Sequence, residues 1–358
     1  MQNKVKTISF QGQNIYTGID VHLKSRKVTI MLDHSIYKTF SQDPKAGILY
    51  DYLQRNFPGG NYYSAYEAGF CGFSVHRELE KYGIKNIVAN AADIPTTDKE
   101  RKQKEDKRDS RKIAKSLRNH ELEAIYIPDR EMEELRSVVR YRKTLVKDIG
   151  RNKSRAKSFL HYYGIHIPTE LDTASQHWSA RFTSWLKSLE TTTACGGFVL
   201  SEIINTTEHL RLRLLKVERQ LREISKTGPL AKTIKLLRSI PGIGLIVSMT
   251  LITELGDVKR FSRLDNLCSF VGLVPTTKSS SDKEKTGNIT PRSNKILRNS
   301  IVESAWVAIG HDPSLALRYN ELCKRMKPSE AIIRIAKKLL NRINYVLKNE
   351  KEYVYSII

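Results

Sequence analysis

The sequence predicts an α/β unit followed by a mainly helical remainder, and three observations lead there. Strand-like and helix-like patterns alternate through the first 128 residues. Long helical patterns poor in proline follow from residue 131, and a glycine-bearing turn separates apolar helical patterns in the last third of the chain.

Taken in order, Ile15–His22, Lys27–Leu32 and Ile36–Phe40 read as three short strands with tight connections. Gly47–Asn56 has helical spacing of Ile48, Leu49, Tyr52 and Leu53. Tyr62–Glu67 then reads as a strand, Phe73–Tyr82 as a helix, Asn86–Asn90 as a strand and Lys107–Asn119 as a helix. Three strands followed by helix–strand units imply a mixed sheet.

From Glu131 to Tyr163, Leu135, Val138, Leu145, Ile149, Ala156 and Leu160 mark one apolar helical face. The remainder of this helix is basic, with nine Lys or Arg between Arg136 and Lys157 against one acid, Asp148. Leu200, Ile203, Thr207, Leu210, Leu214, Val217, Leu221 and Ile224 then follow an alternating 3,4 step, the seam of a coiled coil. Such a seam pairs within the chain or across a dimer, and the spacing fits both. Gly228-Pro229 closes the segment. The expected organisation is thus 1–128, an α/β domain; 129–229, a basic helix and coiled-coil connector; and 230–358, a mainly helical C-terminal domain.

Charge narrows the function. Lys and Arg number 61 against 38 Asp and Glu, a formal net charge of +23 spread over 358 residues. A field of that size favours a polyanion, and nucleic acid is the common one. On the basic helix, Arg136, Arg140, Lys143 and Lys147 are the expected phosphate contacts, with a solvated surface face as the competing reading. Cys71, Cys195, Cys268 and Cys323 form no C-x-x-C pair, which argues against a zinc site or a disulfide framework and for reduced, mostly packed thiols. No apolar run reaches the roughly 18 residues of a membrane span, so a cytoplasmic, nucleoid-associated protein with no membrane partner is expected.

Four acids stand where chemistry is plausible. Asp20 lies inside the first strand, an expensive place for a carboxylate without a partner. Glu67 ends the strand Tyr62-Tyr63-Ser64-Ala65-Tyr66. Asp106 and Asp109, three apart at a helix start, share one helix face. Carboxylates converging from two strands and a helix offer hard oxygen ligands to a pair of Mg²⁺ ions, the arrangement used in phosphoryl transfer. Arg101, Lys102, Lys104, Lys107, Arg108, Arg111 and Lys112 surround them, and of these Arg108 and Arg111 are taken as contacts to the phosphodiester backbone. Taken singly, each acid also reads as a turn residue, a surface acid or a helix N-terminal charge.

The C-terminal part opens with Ile240-Pro241-Gly242-Ile243-Gly244. The backbone N–H groups of Gly242 and Gly244 suit a DNA phosphate in the manner of a helix-hairpin-helix, although a tight helix–helix turn needs the same glycines. Arg260-Phe261, Gly272-Leu273-Val274-Pro275 and a polar loop from Thr276 to Asn288 come next.

In this order the motifs resemble those of a known family. Gly18-Ile19-Asp20, Tyr66-Glu67-Ala68-Gly69 and Asp106-Lys107-Arg108-Asp109 look like the DEDD motif of the RuvC-like domain in the IS one-ten group of insertion-sequence transposases, relatives of the Piv invertases. The turn at 240–244, Arg260-Phe261, Gly272-Leu273-Val274-Pro275 and the serine loop resemble the C-terminal signature of the same group.

The resemblance implies an RNase-H-like (RuvC-like) N-terminal domain with Asp20, Glu67, Asp106 and Asp109 as Mg²⁺ ligands. It further implies a nucleophilic serine that forms a covalent phosphoserine–DNA bond, target and donor DNA as substrates, a guide (bridge) RNA as partner, and a homo-oligomer, dimer to tetramer. Counting from Gly272 places the serine at Ser280, with Ser279 and Ser281 as neighbours in contention and Lys278, Lys283, Lys285 and Arg292 supplying positive charge. The group's glycine after the serine is replaced here by Ser281, and its basic-glycine-asparagine turn by Pro291-Arg292-Ser293-Asn294. Two other functions fit parts of the pattern. A Holliday-junction-type nuclease needs only the four acids, and a non-catalytic RNA- or DNA-binding protein needs only the basic surfaces.

Overall fold

The computed structural model describes residues 9–95, 106–228, 230–280 and 283–354, with the side chains of 106–107, 277–280 and 283–286 outside the description. The chain divides into two compact units, 1–127 and 128–358. The segments expected as connector and C-terminal domain therefore share one unit.

The first unit is built on a five-stranded sheet. Its strands are β1 (Asn14–Val21), β2 (Arg26–Met31), β3 (Ile36–Gln42), β4 (Asn61–Glu67) and β5 (Lys85–Ala89), in the order β3-β2-β1-β4-β5. β2 runs antiparallel to both β1 and β3, whereas β4 is parallel to β1 and β5 to β4. Alternation along the strands sends Ile15, Ile19, Val28, Ile30 and Val88 to one face. There they meet Leu49 and Leu53 of α1 (Ala46–Asn56) and Leu79 of α2 (Ser74–Lys81).

The opposite residues, Tyr16, Met31, Ala65 and Ala89, pack against Ile113, Ala114 and Leu117 of α3 (Asp106–Arg118). Each of these elements begins and ends within two residues of the sequence expectation. Apolar periodicity on a half-buried sheet is a strong signal because a one-residue slip exposes a whole face.

In the second unit, α4 (Arg130–Tyr162) starts at Asp129, whose side chain accepts a 2.7 Å hydrogen bond from the Met132 amide. Glu131 and Glu133 in its first turn complement the helix dipole. After α5 (Ala180–Lys187), α6 (Ala194–Ile224) runs back along α4. Leu200, Thr207 and Leu221 of the 3,4 seam are buried, and Arg142 of α4 holds Glu218 of α6 at 2.8 Å. The seam thus pairs inside the chain.

The last part packs α7 (Leu230–Arg238), α9 (Leu264–Val271), α10 (Lys295–Ala308) and α11 (Pro313–Cys323) on α12 (Pro328–Asn349), with α8 (Leu245–Leu255) lodged against α4, α7 and α10. The core there includes Leu237, Met249, Leu267, Leu297, Ile301, Ile335 and Leu339.

Two expectations are corrected. The polar stretch 276–288, read as a loop, forms the antiparallel strands β6 (Pro275–Ser280) and β7 (Lys283–Ile289). Its Ser, Thr, Lys and Gly residues carry no apolar alternation, so the pattern was silent where backbone pairing alone makes the ladder. The cysteines are free, as expected, but Cys268 alone is fully buried and Cys195 is exposed. Among the described residues no helix is long and apolar enough to cross a membrane.

Candidate functional site

Asp20 and Glu67 stand side by side at the carboxyl ends of neighbouring parallel strands. The β1–β4 register pairs Gly18 with Ala65 and Ile19 with Tyr66, so the next step in each strand is the acid. Carboxyl ends of parallel strands are where open α/β sheets gather ligands. By alternation Asp20 follows Tyr16 and Gly18, and Glu67 follows Tyr63 and Ala65, on the face that α3 covers.

Gly18 sets the position of that helix. A Cβ at this residue would stand 2.1 Å from the Ser110 carbonyl oxygen and 2.3 Å from the Ala114 nitrogen, so α3 lies directly on the β1 backbone. The orientation of α3 follows from two bonds. Ser110 Oγ meets Thr29 Oγ1 of β2 at 2.9 Å, and Arg118 Nη1 at the far end donates to the Asp33 carbonyl at 2.6 Å. Asp33 follows the end of β2 and therefore sits by the start of β1. The first turn of α3, with Asp106 and Asp109, is consequently at the end of the sheet that carries Asp20 and Glu67.

The acids are open to solvent to different degrees. Glu67 is exposed, whereas Asp20 and Asp109 are 23% and 29% exposed at the side chain. His22 Nε2 lies 3.2 Å from Asp20 Oδ2, and Lys112 Nζ lies 3.7 Å from Asp109 Oδ1. Among the described residues no group of three or more His, Cys, Asp or Glu is arranged to hold a metal ion. Asp106 contributes a backbone position only, its side chain being outside the description. By donor chemistry alone, carboxylate oxygens suit a hard divalent cation and not a soft one. Of the surrounding cations, Arg108 is exposed, Arg111 donates from Nε to Thr39 Oγ1 at 3.1 Å, and Arg101, Lys102 and Lys104 lie outside the described residues.

The serine motif is placed by a different architecture. α9 ends at Gly272 in the left-handed conformation (φ 82°), where a Cβ would stand 2.1 Å from Ser293 Cβ. The strands leave from that joint, and Ser280 is the last residue of β6, in register with Lys283. Lys278 is in register with Lys285, and Ser279 with Glu284. Ser281 lies outside the described residues. At the root of the strands the Thr290 amide donates to the Val274 carbonyl, and Arg298 Nη1 donates to the Thr290 carbonyl at 2.7 Å.

Sequence reasoning missed Glu254 in this region. It is buried near the end of α8, and Arg140 grips it with Nε at 2.7 Å and Nη2 at 2.9 Å. Asn294 Nδ2 adds a 3.0 Å bond while its Oδ1 caps the amides of Ile296 and Leu297 at the start of α10. Burial pushes the Glu254 carboxyl up, but the bonds from Arg140 and Asn294 and the charges of Arg140 and Arg136 outweigh it and leave the group below its ordinary value. The signal was available, since a lone acid in the apolar run Leu245–Leu255 poses the same burial problem that singled out Asp20.

Several expected nucleic-acid contacts take internal roles. Arg136 Nε donates to the Thr253 carbonyl at 2.6 Å, and Arg140 is the partner of Glu254, so both guanidinium groups join α4 to α8. Of the four cations chosen on α4, Lys147 is exposed and Lys143 half-buried. Burial, then the neighbouring Lys147, pull the Lys143 ammonium below its usual value. Gly242 has φ +83°, and a Cβ there would stand 2.4 Å from the Ser304 carbonyl oxygen of α10. Close helix packing therefore accounts for its glycine. Gly244, at the exposed N-cap of α8, has no atom within 4 Å of a built Cβ. Arg260 stacks on Phe261 and Phe270 at 4.1 and 4.7 Å, which gives that motif a packing role, and Arg292 is exposed.

Two family models match the chain at the segments just described. One, the DEDD domain of IS110-type elements, described as a transposase, covers residues 17–165 and so takes in all four acids. The other, described as the transposase IS116/IS110/IS902 family, covers residues 234–320 with the serine strands. Both models describe transposases, so the class that the chain resembles is that of the DNA transposases. The family in each case is the IS110 family.

Among similar proteins, the putative transposase y4qE of Sinorhizobium fredii is 29% identical over 244 residues, 68% of this chain and 58% of the relative. The transposase for insertion sequence element IS1533 of Leptospira borgpetersenii is 25% identical, covering 69% of this chain and 71% of the relative. The IS1111A transposase of Coxiella burnetii is 23% identical, covering 70% and 68%. The chain thus matches little more than half the length of y4qE.

Proposed function

We propose that the chain cuts and rejoins DNA to move an insertion element, with Asp20, Glu67, Asp106 and Asp109 as one reacting centre and Ser280 as the other. The observation that carries this reading is the juxtaposition of Asp20 and Glu67 at adjacent strand ends beneath the first turn of α3. The strand order β3-β2-β1-β4-β5, with three antiparallel strands followed by two parallel additions, supports an RNase-H-like identity for the first unit.

In this reading the four carboxylates hold Mg²⁺, two ions per centre. When bound, the metal supplies charge stabilisation at the phosphoryl oxygens. Lys112, beside Asp109, and exposed Arg108 draw the phosphodiester backbone to the same end of the sheet.

Ser280 Oγ gives up its proton and attacks phosphorus, its bond to phosphorus forms as the bond to the leaving deoxyribose oxygen breaks, and that oxygen takes up a proton in its place. The reverse attack by a DNA hydroxyl restores the serine, so no phosphodiester is lost to water. The register favours Ser280 over Ser279, because the position opposite Ser280 is Lys283 and the position opposite Ser279 is Glu284. A guide RNA reads target and donor sequences by base pairing, and the protein works as a homo-oligomer of two to four copies.

The deciding experiment traps the protein on a labelled DNA end, digests both, and maps the phosphate by peptide mass. Ser280 is the expected site. A phosphate on Ser279 or Ser281 moves the register, and one on tyrosine overturns the serine mechanism. Recombination by Asp20→Ala or Glu67→Ala at the wild-type rate removes the carboxylate centre from the proposal.

A further inference from the structure

The second half of α4 carries a feature that the reactions above leave unused. Gly150, Arg151, Ser154, Arg155, Ser158, Phe159, Tyr162 and Tyr163, with Ile203 of α6, line an open trough of about 890 Å³. Its floor is made by the small residues Gly150, Ser154 and Ser158, and Phe159 is packed in the core beneath. At its end Tyr162 is 84% and Tyr163 59% exposed, with ring centroids 5.1 Å apart at 86°.

Two adjacent tyrosines left in water at the end of a basic helix need a reason, and the lining has no acid to favour a cationic partner. Arg151 and Arg155 are one turn apart, about 6 Å along the axis, and the stripe from Gly150 to Tyr162 is about 18 Å long. Their internal partners are near neighbours on the same helix, Asp148 at 2.9 Å for Arg151 and Asn152 at 2.9 Å for Arg155. The first is an exposed ion pair, weak of its kind, and the second, part-buried, goes to a neutral amide oxygen, so a phosphate is the stronger partner for both guanidinium groups.

We propose that this trough binds an unpaired stretch of nucleic acid, with bases stacking on Tyr162 and Tyr163 and phosphates held by Arg151 and Arg155. The proposal rests on reading the chain as a nucleic-acid enzyme. Unpaired bases are required because a duplex keeps its base faces stacked on one another, whereas a single strand offers them to aromatic side chains. The ligand chemistry is common to single-stranded DNA and single-stranded RNA. A second copy of the chain fits less well, since a two-fold contact centred on the trough would bring the Arg151 and Arg155 charges of both copies together with no acid in the lining to offset them.

The test uses the full chain and fluorescence anisotropy with a labelled oligothymidine, the matching oligouridine and a duplex of equal length, each titrated over a range of salt. The double variant Tyr162→Ala/Tyr163→Ala should lose about tenfold in affinity for the single strands, keep its salt slope and bind the duplex as wild type does. Phenylalanine at both positions should restore binding. Arg151→Ala/Arg155→Ala should reduce the slope by about 1.4 units, roughly 0.7 for each lost contact. The stronger of the two single-strand arms identifies the natural strand.

Tyr162→Ala alone, at the more exposed position, guards against a fold defect from loss of the Tyr163–Phe159 contact at 4.7 Å. Unchanged single-strand affinity in both tyrosine variants overturns the proposal. So does equal loss on duplex and single strand, or a change of molar mass by light scattering without a change in binding, which would assign the tyrosines to a contact between copies. Wild-type protein that binds none of the probes defeats the reading of the whole chain as well. A failure confined to the tyrosine variants leaves the carboxylate and serine centres standing.

Discussion

The carboxylate end of the sheet and the serine strands are held in opposite ways. Asp20 and Glu67 project from interior strands of a five-stranded sheet, each flanked on both sides by another strand. Their helix is fixed by a glycine contact that admits no side chain. Ser280 ends a strand that pairs with β7 alone. A two-stranded ladder by itself is marginally stable, and the fixed points of this one lie at its root, at Gly272, Thr290 and Arg298. In the proposed reading, a metal-binding centre needs several donors placed together before the ion arrives, whereas a single nucleophile needs only to be brought to phosphorus, and the two constructions suit that division.

The largest effects should separate the two centres by the kind of failure. Asp20→Ala, Glu67→Ala and Asp109→Ala are each expected to lower strand cleavage by a factor on the order of 10³, as removal of a transition-state charge stabiliser worth several kcal/mol implies. Ser280→Ala should be equally inactive yet still bind DNA, and it alone should leave no protein–DNA adduct on a denaturing gel. Thermal unfolding checks all four, and each should melt within a few degrees of wild type. An adduct formed by Ser280→Ala would break the division of labour.

The next effect concerns the joint beneath the serine strands. Arg140→Ala leaves the buried Glu254 carboxylate without its bidentate partner, and removing one member of a buried pair costs roughly 3–5 kcal/mol. Half-exposure of Arg140 puts the expectation near the lower figure, about 3 kcal/mol by denaturant unfolding.

The pH dependence follows from the direction of the Glu254 shift. A carboxyl held below its unfolded value, about 4.3, contributes stability that is fully present above that value. That stability is lost as pH falls through the folded value. Glu254→Gln should remove this acid-side loss, and an unfolding curve with the same acid limb as wild type would show that the carboxylate bears little of it.

Backbone contact offers a smaller test. Gly18→Ala forces a Cβ into the backbone of α3 and should cost roughly 1–3 kcal/mol in the first unit. Gly244→Ala places its Cβ in open space at φ −87° and should cost only the exchange of a glycine for an alanine N-cap, roughly 0.5–1 kcal/mol. Should both cost the same, contact with α3 is not what makes glycine necessary at residue 18.

What the sequence made legible follows the same contrast. The sheet unit was readable strand by strand because each strand buries one face, and burial writes alternation into the sequence. Asp20 and Glu67 were readable as interruptions of that alternation. β6 and β7 were not, because a solvent-exposed ladder leaves no apolar trace and its register comes from main-chain pairing. The same limit explains the exchange of roles on α4. Composition showed nine cations between Arg136 and Lys157 but not that Arg136 and Arg140 turn towards Thr253 and Glu254 more than a hundred residues away. Charge is visible in sequence, and the partner of a charge is not.

That exchange leads to the smallest expected effect. Lys147 is exposed and Lys143 half-buried on the helix whose two arginines hold α8. If the lysines contact phosphate and the arginines do not, Lys143→Ala/Lys147→Ala should leave thermal stability unchanged and weaken RNA binding. The slope of log affinity against log salt should then fall by roughly 1.4 to 1.8 units, 0.7 to 0.9 for each contact. Arg140→Ala should do the reverse, lowering stability while the folded fraction binds RNA with the wild-type slope. The slope is the discriminating quantity, because a structural defect reduces the amount of competent protein at every salt concentration and shifts the line without tilting it. A tilt in Arg140→Ala would return that guanidinium to the nucleic-acid surface, and an untilted line in the lysine pair would make this part of α4 a solvated face.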